Sequence, residues 1–443
     1  MLRFPASRPA LAALVALAGC DRIPGLQQRP AAAAVLPPAL SMGPWLLDPQ
    51  AGRITVAWVT AQPSVGRVWY GTSQPDRLAT EEGGPVTDHR VTLASLQPAT
   101  QVRYRIEGAD QAYVFTTAPE PTAENPIEVL VYGDNRTNNG DHALVARAAA
   151  AEHAQLALHT GDMVVNAKDP DLWRVWFHEE HDLLATTPFV PTVGNHEITD
   201  TGVAYSRWFQ HRGRPEYWSL DYGPLHIDVL DSFETAPGAR NSHAAGISDA
   251  QRAWFEEDLR QVPKDRHVWV LVHQGPYGHP AHPRPGHGGS DAVRAAVTAA
   301  QKIHPIEVVF AGHEHFYERG EIDGLKYFVL GGGGAPLEDP DPSFPGVLAA
   351  QKALSYATVQ VCGCHTRGWA RDISGKILDS FILSDCPKPC GALGAAPADV
   401  ALAPLIDSRD GGSDEGRRRN RRRRSSEDAG TPGGGQADGG APQ

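Results

Sequence analysis

Five short segments between Gly133 and His315 each place a metal-ligand side chain directly after an apolar stretch, four of them through a glycine. They are Gly133-Asp134-Asn135-Arg136, Gly161-Asp162-Met163, Gly194-Asn195-His196-Glu197, Val272-His273-Gln274 and Gly312-His313-Glu314-His315. Carboxylates and amide oxygens suit hard cations and imidazoles suit borderline ones. Asp134, Asp162, Asn195, His273, His313 and His315, gathered at one place, would therefore hold two divalent or trivalent metals. Two metals about 3.5–4 Å apart clamp the attacking and leaving oxygens of a phosphoryl displacement. The chemistry these residue types point to is hydrolysis of a phosphate ester.

Such a constellation needs elements that deliver all six side chains to one place. The runs Ile127 to Tyr132, Leu156 to Leu158, Phe189 to Val193, Val268 to Val272 and Val308 to Phe310 read as buried strands. The ligand candidates thus fall at strand ends, where open α/β sheets carry their active sites. A single strand-end Asp is as readily a turn former, so the weight lies on the ordered set of five. Strands alternate with helices over residues 125–385, which predicts a layered α/β catalytic domain. Ser248 to Gln251 reads as a capping box opening a helix through Trp254, Phe255 and Leu259. Residues 41–119 differ: short alternating strands such as Arg53 to Val59, Gly66 to Tyr70, His89 to Leu93 and Gln101 to Ile106 predict a small β-sandwich.

Composition bounds the rest. The 443 residues, 41% hydrophobic and 21% charged, fit a globular protein of two domains with tails. A formal charge of −12 argues against a nucleic-acid backbone as partner. It does not oppose phosphate esters, because bound metals supply local positive charge. Arg3 and Arg8 precede the apolar run Leu11 to Ala18 and then Gly19-Cys20, a signal peptide over residues 1–20 too short to span a membrane. Residues 21–40, rich in Pro and Ala, read as a tether. Residues 391–443 collapse into Gly, Ala, Pro, Ser and charge and read as a disordered tail. Its arginine-rich run from Arg417 to Arg424 is balanced, since the tail holds eight acidic residues and eight arginines. Cys362, Cys364, Cys386 and Cys390 read as two disulfides of an exported chain, with three connectivities open and a structural zinc site as the rival.

The five segments resemble the calcineurin-like metallophosphoesterase superfamily and, within it, the purple acid phosphatases. Gly312 to Arg319 looks like that group's last motif, Gly194 to Glu197 like its third, and Lys326 to Pro336 like its glycine-rich strand exit. The resemblance runs from about Ser41 to Phe381. It implies that Asp162 bridges two metals, iron with zinc, manganese or a second iron. Asp134 and His315 would hold the first metal, and Asn195, His273 and His313 the second. It also implies that His196 lies beside the leaving group, where it would protonate the departing alkoxide, and that His282 binds substrate. The metals would lower the pKa of a bound water toward about 7, giving hydroxide without a protein base. Leu96 to Thr100, with Val102 and Tyr104, resembles a fibronectin type III loop and strand. Leu17 to Cys20 resembles a bacterial lipoprotein cleavage box, implying an exported, membrane-attached product lipidated at Cys20.

Two positions depart from the family pattern. Its iron-binding tyrosine would fall at Val165, and the histidine used by most of the superfamily, two residues after the first Asp, falls at Arg136. Water, Asn166 or Asn135 are the candidates to complete the first metal site. Arg136 beside the metals is expected to grip phosphate in a bidentate fork, with a surface ion pair as the alternative. The expected fold class is α/β: a metallophosphoesterase β-sandwich flanked by helices, preceded by the small all-β domain. The expected activity is hydrolysis of phosphate monoesters. A phosphodiesterase, or a surface binding lipoprotein with a degraded site, stand as alternatives.

Overall fold

The structure, a computed structural model, describes residues 40–121, 126–136, 139–200, 202–209, 216–242, 244–279, 287–388 and 390. Cys20, the tether, His282 and the arginine-rich tail lie outside these residues.

Two mixed sheets stack to form the centre of the molecule. The six-stranded sheet runs Phe189–Pro191, Leu156–His159, Ile127–Tyr132, Ser355–Cys362, His365–Asp372, Ile377–Ser384. The seven-stranded sheet runs Trp218–Tyr222, Leu225–Leu230, His267–Val272, Val308–Ala311, Leu325–Leu330, Tyr317–Ile322, Val347–Gln351. The strands that precede the ligand candidates are parallel to one another within each sheet, and Ile127–Tyr132 pairs antiparallel with Ser355–Cys362 on its other side. Parallel strands are covered on both faces, which is why these segments read as unbroken apolar runs. Val129, Val131, Leu158, Ile227, Trp269, Phe310 and Phe328 fill the space between the sheets. The helix Asp249–Gln261 and the helix Asp291–Ala300 cover the outer face of the seven-stranded sheet, through Phe255, Leu259, Val293 and Val297. Asn139–Ala151 and Pro170–Glu179 cover the outer face of the other, through Val145, Ala149, Trp173, Trp176 and Phe177. This is the layered α/β sandwich expected from the pattern. Ser248 Oγ accepts the Gln251 N–H at 3.1 Å, as a helix cap should. The Gln251 side chain does not close the box; it bonds both backbone groups of Asp231 at 2.9 Å.

The N-terminal region is all β. Leu40–Gln50, Arg53–Ser64 and Val86–Ala94 form one sheet; Arg77–Thr80, Arg67–Gly71, Gln101–Ile106 and Tyr113–Thr116 form the other. Its first strand is amphipathic in an unusual way, because it serves two cores. Leu40 and Leu46 face the small sandwich, whereas Met42, Trp45 and Leu47 pack into the helical layer of the large domain. Trp45 lies 4.6 Å from the Phe177 ring and donates its indole N–H to the Trp208 carbonyl at 3.0 Å. Tyr104 likewise donates to the Ala185 carbonyl at 2.7 Å. The two β and α/β regions are therefore fused rather than strung together.

The disulfides are Cys362–Cys390 and Cys364–Cys386, closing 28 and 22 residues. With both pairs bridged, no thiolate remains for zinc among the described residues. In the chain-entropy picture each loop of this size contributes about 3–4 kcal/mol by restricting the unfolded chain.

Trp45 is 2% exposed and joins both regions. Trp45→Ala is expected to cost about 3–5 kcal/mol, the scale of deleting a buried aromatic side chain. A urea midpoint unchanged from wild type would show that the seam carries no stability.

Candidate metal centre

Three of the six ligand candidates are aimed by sharp turns at strand ends. Asp134, Asp162 and His313 have φ of 61°, 56° and 73°, the left-handed region that non-glycine residues rarely occupy. The turn costs about 1–3 kcal/mol per residue and swings the side chain over the sheet edge. The glycines beside them make room. A Cβ on Gly312 would strike the Asp134 carboxylate, and one on Gly194 would strike that of Asp162. The glycine run after Leu325–Leu330 stitches onto the same loop, with Gly333 N–H donating to Gly133 O at 2.9 Å and Ala335 N–H to Asp134 O at 2.8 Å.

One half of the centre is a cage of lone pairs. His273 Nδ1 donates to the Thr160 carbonyl at 2.6 Å, which turns Nε2 inward. Burial lowers the ring's pKa, but Asp162 and Asp134 raise it to about 9, so a metal bound here would displace the Nε2 proton. That nitrogen faces Asn195 Oδ1 at 3.1 Å, His313 Nδ1 at 3.2 Å and Asp162 Oδ1 at 3.4 Å. His313 Nδ1 lies 3.1 Å from the same Asn195 oxygen. Ligands held tetrahedrally at about 2.0–2.1 Å from a metal are separated by about 3.4 Å, so this donor set fits one divalent ion.

The other half is built differently. Asp134 accepts the His313 backbone N–H at 2.9 and 3.1 Å through its two oxygens. His315 Nδ1 donates to Pro336 O at 2.9 Å, turning Nε2 inward to lie 3.8 Å from Asp134 Oδ1. Between these groups stands the Arg136 guanidinium. Its Nε donates to Asp162 Oδ2 at 2.8 Å and its Nη2 to His315 Nε2 at 2.9 Å. Asn135 is turned away, its oxygen bonded by His159 at 2.5 Å and Trp176 at 3.2 Å, and its amide donating to Gly333 O. Asn166 is exposed and accepts the Lys168 N–H. The place left by the family's missing ligand is thus filled by a permanent cation, not by an amide.

Charge is balanced around Asp162. Burial opposes its ionisation, yet His273, His196 and Arg136 hold its carboxyl well below the usual range. Asp134 goes the other way: burial and the Asp162 charge push it up to about 8 despite His273 and Arg136. Burial, then Arg136, drive the His315 ring down to about 4, so it is neutral and able to ligate. Asp134, Asp162 and His273 offer ligand atoms within 4.8 Å of one another, close enough for Asp162 to serve both halves.

His196 stands at the rim with its side chain 21% exposed. Its Nδ1 donates to the Val165 carbonyl at 2.6 Å, which leaves Nε2 facing inward, 3.8 Å from Asp162 Oδ2. Glu197 does not touch His196. It accepts the backbone N–H groups of Asp162 at 2.8 Å, Met163 at 2.9 Å and Gly194 at 2.9 Å, clamping two ligand loops together. Glu314 holds the His279 N–H at 3.0 Å in the same manner. His287, which has no motif to mark it in the sequence, stacks on His313 with ring centroids 4.3 Å apart.

Residues 128–317 match the family model described as calcineurin-like phosphoesterase. Purple acid phosphatase 1 of Ipomoea batatas is 26% identical over 276 residues, covering 57% of this chain and 56% of its own. The phosphoenolpyruvate phosphatase of Allium cepa is 26% identical over 333 residues, covering 66% and 65%. The chain therefore spans between half and two thirds of the length of these relatives. Among solved structures, the purple acid phosphatase PPD1 of yellow lupin (Lupinus luteus) superposes with a TM-score of 0.66 at 17% identity, covering 81% of this chain and 77% of its own. PhoD superposes at 0.63 with 14% identity, covering 83% and 94%. These two likenesses concern the fold.

The guanidinium and a cation at Asp134, Asp162 and His315 compete for the same lone pairs. Arg136→His is expected to tighten the weaker of two metal equivalents by at least about tenfold, the lower end of what a supporting group does to metal affinity. Calorimetric titration with identical affinities in wild type and variant would overturn the competition.

Proposed function

We propose that this chain, whose residues 128–317 form a calcineurin-like phosphoesterase domain, hydrolyses phosphate monoesters at a dinuclear metal centre. The observation that carries the reading is the convergence of Asn195, His273, His313 and Asp162 on one point, with the second Asp162 oxygen joined through Arg136 to His315. Metals bound there supply Lewis acidity and a water of lowered pKa. Nitrogen and oxygen donors of this mixture accept zinc, manganese or iron, and the purple acid phosphatase likeness favours iron with one of these.

The chain's own residues do the rest. Asp162 ties the two halves through its separate oxygens. His196, fixed by the Val165 carbonyl, presents Nε2 to the position of the leaving oxygen and, as the imidazolium, gives that oxygen its Nε2 proton and is left neutral. Arg136 adds a charge that no pH in the working range removes, and this favours a dianionic monoester over a monoanionic diester. The N-terminal sandwich, read as fibronectin type III-like, acts as a rigid buttress.

Asp162→Asn is expected to lose metal and at least about 10³-fold in turnover of a nitrophenyl monoester, the scale of removing a key electrostatic group. Near-wild-type turnover would overturn the dinuclear reading, and faster turnover of a diester than of a monoester by the wild type would replace the monoester reading. We further propose a lipid anchor at Cys20. Mass spectrometry of the mature protein is expected to find Cys20 at its N-terminus, diacylated; an unlipidated chain starting elsewhere would refute the anchor.

A further inference from the structure

A second group of ligand-type side chains lies at the other end of the parallel strands. His226 and Asp228 share one face of the strand Leu225–Leu230, as residues two apart must. Asp221 pairs directly with His226 across the antiparallel register. Asp258 reaches them from the helix Asp249–Gln261. An open cavity of about 600 Å³, lined among others by Asp48, Trp218, Asp221, His226, Asp258 and Arg266, leads to the group from solvent.

The imidazole alone does not satisfy the carboxylates around it. His226 Nδ1 donates to Asp221 Oδ1 at 2.9 Å, leaving Nε2 as the one remaining ring nitrogen. Nε2 faces two carboxylates, Asp258 Oδ2 at 2.9 Å and Asp228 Oδ2 at 3.7 Å. A single N–H on Nε2 serves Asp258 and leaves Asp228 unserved. Asp228 is fully buried, and neither of its oxygens accepts a hydrogen bond. A carboxylate buried in that condition is costly, and native structures rarely tolerate it without an ion or a shared proton. The arrangement is also that of a metal-bound histidine, whose far N–H is held by a carboxylate that fixes the tautomer.

We propose that His226 Nε2, Asp228 and Asp258 bind a divalent cation of the zinc or manganese class, with Asp221 orienting the imidazole. Their ligand atoms lie within 4.8 Å of one another, compact enough for one ion with water completing the shell. The ion would satisfy Asp228 and His226 together and fasten the helix to the hairpin at the sheet edge. The role is structural, since the group stands at the strand ends away from Asp162.

Equilibrium dialysis of the full chain against zinc chloride, followed by metal analysis, tests this. Asp228→Asn and Asp258→Asn are each expected to bind one equivalent less than wild type while keeping phosphatase turnover. Asp162→Asn is expected to retain that equivalent, and zinc is expected to raise its melting temperature. Asp221→Asn should weaken the same equivalent about 10–100-fold. Asp258 lies on the helix surface, so its variant decides the matter if Asp228→Asn does not fold. Equal zinc content in wild type and Asp258→Asn would mean that the cluster holds only protons, and loss of all zinc from Asp162→Asn would likewise overturn the site.

Discussion

The Asp162 carboxylate is completely buried and ionised, and most of the centre is arranged to make that affordable. An isolated charge in such a place would cost many kcal/mol. Here Oδ1 accepts the His196 backbone N–H at 3.0 Å and faces His273, while Oδ2 accepts from Arg136. The backbone around it is held by Glu197, itself buried and bonded to N–H groups of both the Asp162 and the Gly194 loops. A carboxylate that must satisfy both sides of a dinuclear centre cannot be on a flexible loop. The left-handed turn at Asp162 and the close approach of Gly194 are the local expressions of that demand.

From this follows an asymmetry between the two halves. On one side, imidazoles and an amide oxygen surround a point, and the positive charge there is a proton that a metal can displace. On the other, Arg136 bridges Asp162 and His315 with a guanidinium that cannot be deprotonated. The charge of the first half is exchangeable; that of the second is fixed. Arginine, rather than histidine, at this position therefore sets a fixed positive charge between Asp162 and His315.

Rigidity reaches the centre from the periphery as well. The strand Leu40–Gln50 contributes Trp45 to the layer of Trp173, Trp176 and Phe177, and Trp176 in turn bonds Asn135 beside Asp134. The Gly331 to Gly334 run ties the sheet to the Asp134 loop through a backbone bond to Gly133 and the Asn135 side-chain amide. The helices and the N-terminal sheets thus act on the ligands through packing, without supplying any ligand.

Much of this could be read from residue order. Strand runs Ile127 to Tyr132 and Val308 to Phe310 are apolar throughout because both faces are covered, and the ligand types follow directly after them. Both features are local in the chain, so the layered α/β fold and the gathered set of Asp134, Asp162, Asn195, His273, His313 and His315 were legible. The direction of Arg136 was not: its partner His315 is 179 positions away. Nor was the choice among three disulfide connectivities, the stacking of His287 on His313, or the meeting of Asp258 with His226. Sequence alone determined which side chains end which strands, because periodicity and turn chemistry act over a few residues. Tertiary structure alone decided which of those side chains share a lone pair, a proton or a cation, because those energies depend on ångström distances between segments that only packing brings together.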